Sequence, residues 1–248
     1  MRIVVTNCNT TQEMTEEIVR GARAAAGPGT TVTGLTPAWG PASAEGWLDS
    51  YLSAAAVLDT LRTYDGPPYD AVVMAGFGEH GREGVRELVD VPVVDITEAA
   101  AHLACLLGRR YGVVTTLERS CGQIEDSLET AGVARNCAAI VATGLNVLGL
   151  GDDERTETAF LAAAERACAA GAEVLVLGCA GMTGLHRAVG EKLGLPVVDG
   201  VAAAVKLAES LVVLGLTTSR VGSYAEPLAK RREWGRPAGQ ELRPGRRV

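Results

Sequence analysis

DAVVMAGFGEHGREGVRELVDVPVVDITEAAAHLACLLG (residues 70–108) and EVLVLGCAGMTGLHRAVGEKLGLPVVDGVAAAVKLAESLVVLG (residues 173–215) follow one plan. Each runs from an acidic residue into an apolar strand, a turn of small residues, a helix, the tetrapeptide PVVD and an alanine-rich helix. Asp70 aligns with Glu173 and Pro92 with Pro196, so a single residue is inserted between the two anchors. Any two strand–helix–strand units share an apolar pattern, but a shared PVVD at nearly constant offset points to duplication. IVVTNCNTT (3–11) and GVVTTLERS (112–120) open the two halves in the same manner.

Working outward, short β-branched runs at 2–6, 31–35, 71–75, 91–95, 112–115, 138–143, 173–178 and 195–199 read as strands buried on both faces. Helical stretches alternate with them at 11–26, 44–64, 81–88, 97–107, 118–131, 154–170, 184–193 and 201–214. Thr10 or Thr11, followed by Gln12 and Glu13, has the character of a capping box. Asp95 and Asp199, at the ends of paired strands, are read as helix caps rather than catalytic acids. Alternation of this kind gives an α/β fold with parallel sheets and right-handed crossovers. The expectation is two pseudo-symmetric flavodoxin-like lobes, each a parallel sheet flanked by helices, with the active site in the cleft between them. The first lobe takes residues 1–96 plus about 200–230, the second takes 97–199, and 231–248 form a tail that wraps the surface or frays.

The 248 residues suffice for two small lobes, with 47% hydrophobic and 21% charged residues. A net charge of −7 argues against a nucleic-acid partner, which needs a basic surface. The N-terminal apolar run is too short for a signal peptide, and no stretch approaches a membrane span, so a cytoplasmic protein is expected. Cys8, Cys105, Cys121, Cys137, Cys168 and Cys179 show no C-x-x-C and no metal-like spacing with histidine. They are read as thiols, with no metal site. No glycine-rich nucleotide motif is present in the required context, and no cofactor is implied.

In open parallel sheets, ligands bind beyond the carboxyl ends of the strands. Four loops there are small or polar: Asn7 to Thr10, Gly76 to His80, Thr115-Thr116, and Gly178 to Gly181. Cys179 ends a strand and leads through a glycine turn towards a helix. Helix amides at that position would lower a thiol pKa and hold a developing oxyanion, so Cys179 is the leading acid/base candidate. Its counterpart in the first lobe is Gly76. Glu79 and His80 beside it are weighed as proton carriers against a solvated turn, and His102 and His186 are read as surface or packing residues. Trp39, Trp47 and Tyr51 either line the pocket or pack a helix.

The segments LTPAWGPAS (35–43), VVTTLERS (113–120), ATGLNVL (142–148), VLGCAGM (176–182), LPVVDGVAAAVKLAE (195–209) and SRVGSYAEP (219–227) together resemble the aspartate/glutamate racemase superfamily, in its hydantoin and allantoin racemase branch. The resemblance covers nearly the whole chain. It implies cofactor-independent proton transfer on a small-molecule substrate, a 5-substituted hydantoin or related cyclic ureide, between two cysteines on opposite faces of a carbon. It also implies a homo-oligomer. Cys179 matches the second cysteine of the family. Asn7, Asn9, Thr10, Thr115 and Thr116 match substrate-cradling loops, and the amides of Phe77, Gly78, Ala180 and Gly181 match oxyanion donors.

Two departures bear on the chemistry. Family members read A-C-F-G-D-P-G in the first lobe, where this chain reads Ala75-Gly76-Phe77-Gly78-Glu79-His80-Gly81, and glycine has no proton to transfer. Where the family reads N-P-N, this chain reads Asn7-Cys8-Asn9. In a flavodoxin-like order the first and third strands are neighbours, so Cys8 would lie next to Gly76 and supply the absent thiol; the plain reading is a packed small residue. The alternatives are a single-cysteine lyase similar to arylmalonate decarboxylase, which also has glycine in the first lobe, and an inactivated or diverged racemase that binds without turnover.

Overall fold

The computed structural model describes residues 1–149, 154–183 and 186–232. From residue 233 onward, the tail expected at 231–248 lies outside the described residues.

The first half consists of β1 (Arg2–Asn7), α1 (Gln12–Ala25), β2 (Thr31–Leu35), α2 (Trp47–Arg62), β3 (Ala71–Ala75), α3 (Arg82–Leu88), β4 (Val93–Asp95) and α4 (Ile96–Leu107). The second repeats it with β5 (Tyr111–Thr115), α5 (Cys121–Thr130), β6 (Cys137–Ala142), α6 (Glu154–Ala169), β7 (Val174–Leu177), α7 (His186–Leu193), β8 (Val197–Val198) and α8 (Gly200–Val213). The strands form two parallel sheets, ordered β2-β1-β3-β4 and β6-β5-β7-β8. Every strand and helix read from the sequence is present, with ends shifted by a few residues. The two α/β lobes thus share one flavodoxin-like layout. Among the described residues no helix is long and apolar enough to cross a membrane.

The central strands β3, β5 and β7 are buried along their whole length. Their Val, Leu and Ala runs are what a parallel sheet covered on both faces requires. The covering helices are exchanged. Helix α8, which leaves the second sheet, packs on β3 and β4 of the first, and α4, which leaves the first sheet, packs on β7 of the second. The two helices also pack on each other.

Small side chains permit this close approach. Helix α4 buries Ala99, Ala100, Ala101 and Ala104, and α8 buries Ala203, Ala204 and Ala208. At the start of α8, a Cβ on Gly200 would sit 3.0 Å from the Ile96 carbonyl oxygen. One hydrophobic cluster runs through α4, α8 and strands of both sheets.

Asp95 and Asp199 cap these helices. Asp95 Oδ1 accepts from the amides of Thr97 and Glu98 in a complete capping box, and Asp199 Oδ1 accepts from those of Val201 and Ala202. Helix α1 starts differently from expectation. Thr11 makes no cap bond, because its hydroxyl donates to the Ala42 carbonyl at 2.7 Å, and Asn9 Oδ1 takes the Thr11 amide instead.

Enlarging the α4–α8 layer should overpack it. Ala204→Leu, at a fully buried position, is expected to lower unfolding stability by about 1–3 kcal/mol in a urea titration.

Candidate active site

The carboxyl ends of β1, β3, β5 and β7 converge on one cavity between the lobes. It is lined by Asn7, Cys8 and Asn9 after β1, Gly76, Phe77 and His80 after β3, Thr115 and Thr116 after β5, and Gly178, Cys179 and Ala180 after β7. Ser120 and Gln123 at the start of α5 contribute from the side, and Ala44 and Val147 lie at its rim. The cavity holds about 30 Å³, room for little more than a water molecule. A polar span ties two of its lining segments together: Glu45 Oε1 accepts from the Val147 amide at 2.8 Å, and the Glu45 carbonyl accepts from the Ser120 hydroxyl at 3.2 Å.

The first loop is held by its asparagines. Asn7 Nδ2 donates to Asn9 Oδ1 at 3.0 Å and to Thr15 Oγ1 at 3.1 Å, and Asn7 Oδ1 accepts from the Asn9 amide at 3.3 Å. These bonds build the turn that carries Cys8 into the cavity. Thr10, grouped with the cradling residues on sequence, bonds the Pro41 carbonyl through its amide and hydroxyl and does not line the cavity. Burial pushes the Cys8 thiol up to about 12, and the nearby Cys179 adds to the rise.

The loop after β3 has no side chain at Gly76, and its neighbours occupy the space. A Cβ built on Gly76 would fall 2.9 Å from Cys8 Sγ, 2.8 Å from Cys8 Cβ and 2.4 Å from His80 Cδ2. His80 is buried, not solvated as a turn residue would be. Its ring lies between the Ser50 hydroxyl at 3.2 Å and the Phe77 carbonyl at 3.3 Å, and burial holds its pKa down at about 4. Burial thus favours the neutral ring, which lines the cavity packed between these two groups.

Glu79 accepts the Gly81 amide at 2.7 Å and does not line the cavity. Gly78, matched to the oxyanion donors on sequence, already gives its amide to Thr97 Oγ1 at 2.8 Å, and its carbonyl accepts from Ser127. Behind this loop lies Arg82, fully buried and bonded to Glu83 at 2.7 Å, with Glu98 at 3.6 Å.

Cys179 faces the same cavity from the second lobe. The helix expected at 184–193 does not reach back to it. Residues Ala180–Met182 form a single 3-10 turn, and α7 starts at His186. With no helix terminus beside it, desolvation prevails and the thiol is pushed up to about 11, while the Gly181 amide pulls the other way. Gly181 thus turns its amide towards the sulfur and is absent from the cavity wall. Thr183 fixes this turn against the other lobe, where a Cβ on Gly21 of α1 would meet Thr183 Cγ2 at 2.1 Å. Thr115 Oγ1 donates to the Gly178 carbonyl at 3.1 Å and ties β5 to the Cys179 loop.

The aromatic candidates lie elsewhere. Trp39 donates to Asp59 at 3.0 Å, and Trp47 stacks on an exposed Tyr51. His102 is exposed on α4, bonded to the Glu98 carbonyl. The sequence reading missed Ser120, Gln123, Glu45 and Val147. Gln123 is the most consequential, because its Oε1 is buried in the cavity wall with no hydrogen-bond partner, an arrangement that costs about 1–3 kcal/mol. The spacing Ser120-x-x-Gln123 marks a helix start, but only the tertiary structure reveals that the carboxamide is not used as a cap.

Comparison with known proteins agrees with this architecture. The family Asp/Glu/Hydantoin racemase matches residues 3–208. The hydantoin racemase of Paenarthrobacter aurescens is 38% identical over 93% of this chain and 99% of its own length. The crystal structure of allantoin racemase from Pseudomonas fluorescens superposes with a TM-score of 0.92 at 52% identity, covering 94% of this chain and all of that one. Arylmalonate decarboxylase, at 16% identity and a TM-score of 0.58, shares the fold. With a family match over most of the chain and relatives of this closeness at both levels, the chain belongs to the Asp/Glu/hydantoin racemase family of isomerases, in the branch of the hydantoin and allantoin racemases.

Proposed function

We propose that this chain racemises a 5-substituted hydantoin or related cyclic ureide by proton transfer between two thiols, Cys179 and Cys8, with Cys8 taking over from the cysteine that Gly76 replaces. One observation carries the reading. Three of the four departures from the family pattern in these loops, at positions 8, 76 and 80, meet at a single point, where Cys8 Sγ and the His80 ring fill the volume of a side chain on Gly76. A site that had merely lost a cysteine would be left with a gap; here a second thiol fills it, on the same cavity as Cys179.

The chemistry follows from that pairing. One cysteine, as thiolate, removes the proton from the carbon next to the ring carbonyl. The C–H electron pair moves into the carbonyl, which becomes an oxyanion, and the opposite thiol delivers its proton to the other face. The two sulfurs end with their protonation states exchanged, ready for the opposite enantiomer. The Phe77 and Ala180 amides and the Thr116 hydroxyl, all in residues of the cavity wall, are the candidates for holding the oxyanion. Desolvation makes each thiolate, once formed, a stronger base towards a carbon acid. The described lining contains no lysine or arginine, which suits a neutral ring better than a carboxylate. The loop Gly76-Phe77-Gly78 has no hydroxyl side chain to hold a spectator carboxylate, which disfavours the single-thiol lyase, a reading that also leaves Cys8 without a role. Entry of a ring into a cavity of about 30 Å³ requires the lining loops to part.

Racemisation of 5-benzylhydantoin or allantoin, read by loss of optical rotation above the spontaneous rate, tests the reading. Cys179→Ala and Cys8→Ala are each expected to lower kcat/KM by about 10²–10⁴-fold. Gly76→Cys alone gives no gain, because its side chain collides with Cys8 and His80, whereas adding it to the Cys8→Gly/His80→Ala double variant, which clears both contacts, restores activity at least about tenfold over that double variant. Wild-type rates in Cys8→Ala would refute the pairing.

The raised thiols set the pH response. With Cys179 at about 11 and Cys8 at about 12, little thiolate exists at pH 7, and its fraction grows with pH up to those values. Alkylation of both residues by iodoacetamide in the free enzyme, followed by peptide mass spectrometry, should be slow at neutral pH. It should still be accelerating above pH 10, where an ordinary thiol has levelled off.

A further inference from the structure

We infer that Gln123 is the residue that recognises the ring, pairing its carboxamide with the cis amide edge of a cyclic ureide; this rests on the racemase reading above. Gln123 is 1% exposed, lines the cavity, and leaves Oε1 without a partner. Its position explains how the side chain is held. It stands in the first turn of α5 in the second lobe, and its stem lies on Gly78 of the first, where a Cβ would come within 3.4 Å of its Cγ and 3.7 Å of its Nε2. A glutamine three residues after a serine at a helix start ordinarily bonds back to the cap. Here Ser120 makes no cap bond and turns its hydroxyl to the Glu45 carbonyl instead. The carboxamide is therefore free for something that enters the cavity.

The chemistry of the partner follows from that of the amide. A carboxamide presents one acceptor and one donor side by side. Its complement is an N–H and a C=O on a common edge. A five-membered ring forces its amide bonds to be cis and so presents that edge, whereas an open-chain trans amide turns the two groups to opposite sides. Gln123 would thus read the ring itself, not the substituent at the reacting carbon, which the two cysteines flank. This assigns it a positioning and specificity role: it orients the ring so that the reacting carbon sits between the sulfurs.

The test measures equilibrium binding and kinetics together. Calorimetry compares 5-benzylhydantoin, its N1-methyl and N3-methyl derivatives, and the neutral open-chain N-acetylphenylalanine N-methylamide, whose amides are all secondary and trans, on wild type and Gln123→Met. Wild type is expected to bind the unmethylated ring at least about tenfold more tightly than one of the methylated rings and than the open-chain compound, one hydrogen bond's worth of affinity. Gln123→Met should lose that preference and raise KM about tenfold with kcat little changed. It should not lower Tm, since it removes an unpartnered buried polar atom. If wild type binds and racemises the hydantoin but Gln123→Met keeps the same preference, this assignment fails while the racemase reading stands. If wild type binds none of the cyclic ureides, both fail.

Discussion

The close packing of α4 against α8 is the constraint on which the rest of the molecule depends. Each helix leaves one sheet and covers the other, so neither half can complete its core alone. The layer works because its buried faces are rich in alanine and because Gly200 lets a helix terminus approach the Ile96 carbonyl. Two aspartates in equivalent positions cap the two helices. With this layer in place, the carboxyl ends of β1, β3, β5 and β7 face one another across a narrow space. A cavity built in this way takes its walls from both lobes, and contacts such as Thr183 on Gly21 and Ser127 on the Gly78 carbonyl fix the loops relative to each other.

Within that cavity, electrostatics favour neutral groups. Burial raises both thiols and lowers His80, and the histidine is held by Ser50 and the Phe77 carbonyl. The site therefore rests as two thiols beside neutral amides and hydroxyls. On the proposed reading this is the resting state of an enzyme for a weakly acidic carbon: charge develops only with the ligand in place, in surroundings that strengthen the base and the oxyanion donors alike. The exchange of Gly76, Cys8 and His80 then counts as one change in three positions, because Cys8 and His80 occupy the volume that a side chain at position 76 would need.

Much of this was legible in the sequence. The repeat of PVVD and its flanking strands gave the two-lobe layout, since buried parallel strands and amphipathic crossovers leave clear periodic patterns. The loops at the strand ends were legible because ligand sites in such sheets occur there. What was not legible depends on packing between distant segments. Cys179 was expected at a helix terminus with a lowered pKa, but the chain closes a 3-10 turn against α1 and desolvation prevails. His80 read as a solvated turn because nothing local reveals that α2 covers it through Ser50. Thr11 looked like a cap, yet the 36–46 segment offers its hydroxyl a better acceptor at Ala42. Gln123 carried only a helix-start signal, and its orphaned oxygen exists only where α5 meets the other lobe.

The central claim is that Cys8 and Cys179 act on opposite faces of one carbon. Proton NMR of each separate hydantoin enantiomer in deuterium oxide tests it most directly. The account predicts that Cys8→Ala exchanges the α-hydrogen of one enantiomer without inverting it, and that Cys179→Ala exchanges only the opposite enantiomer. Exchange of the same enantiomer by both variants, or full racemisation by Cys8→Ala, would contradict it.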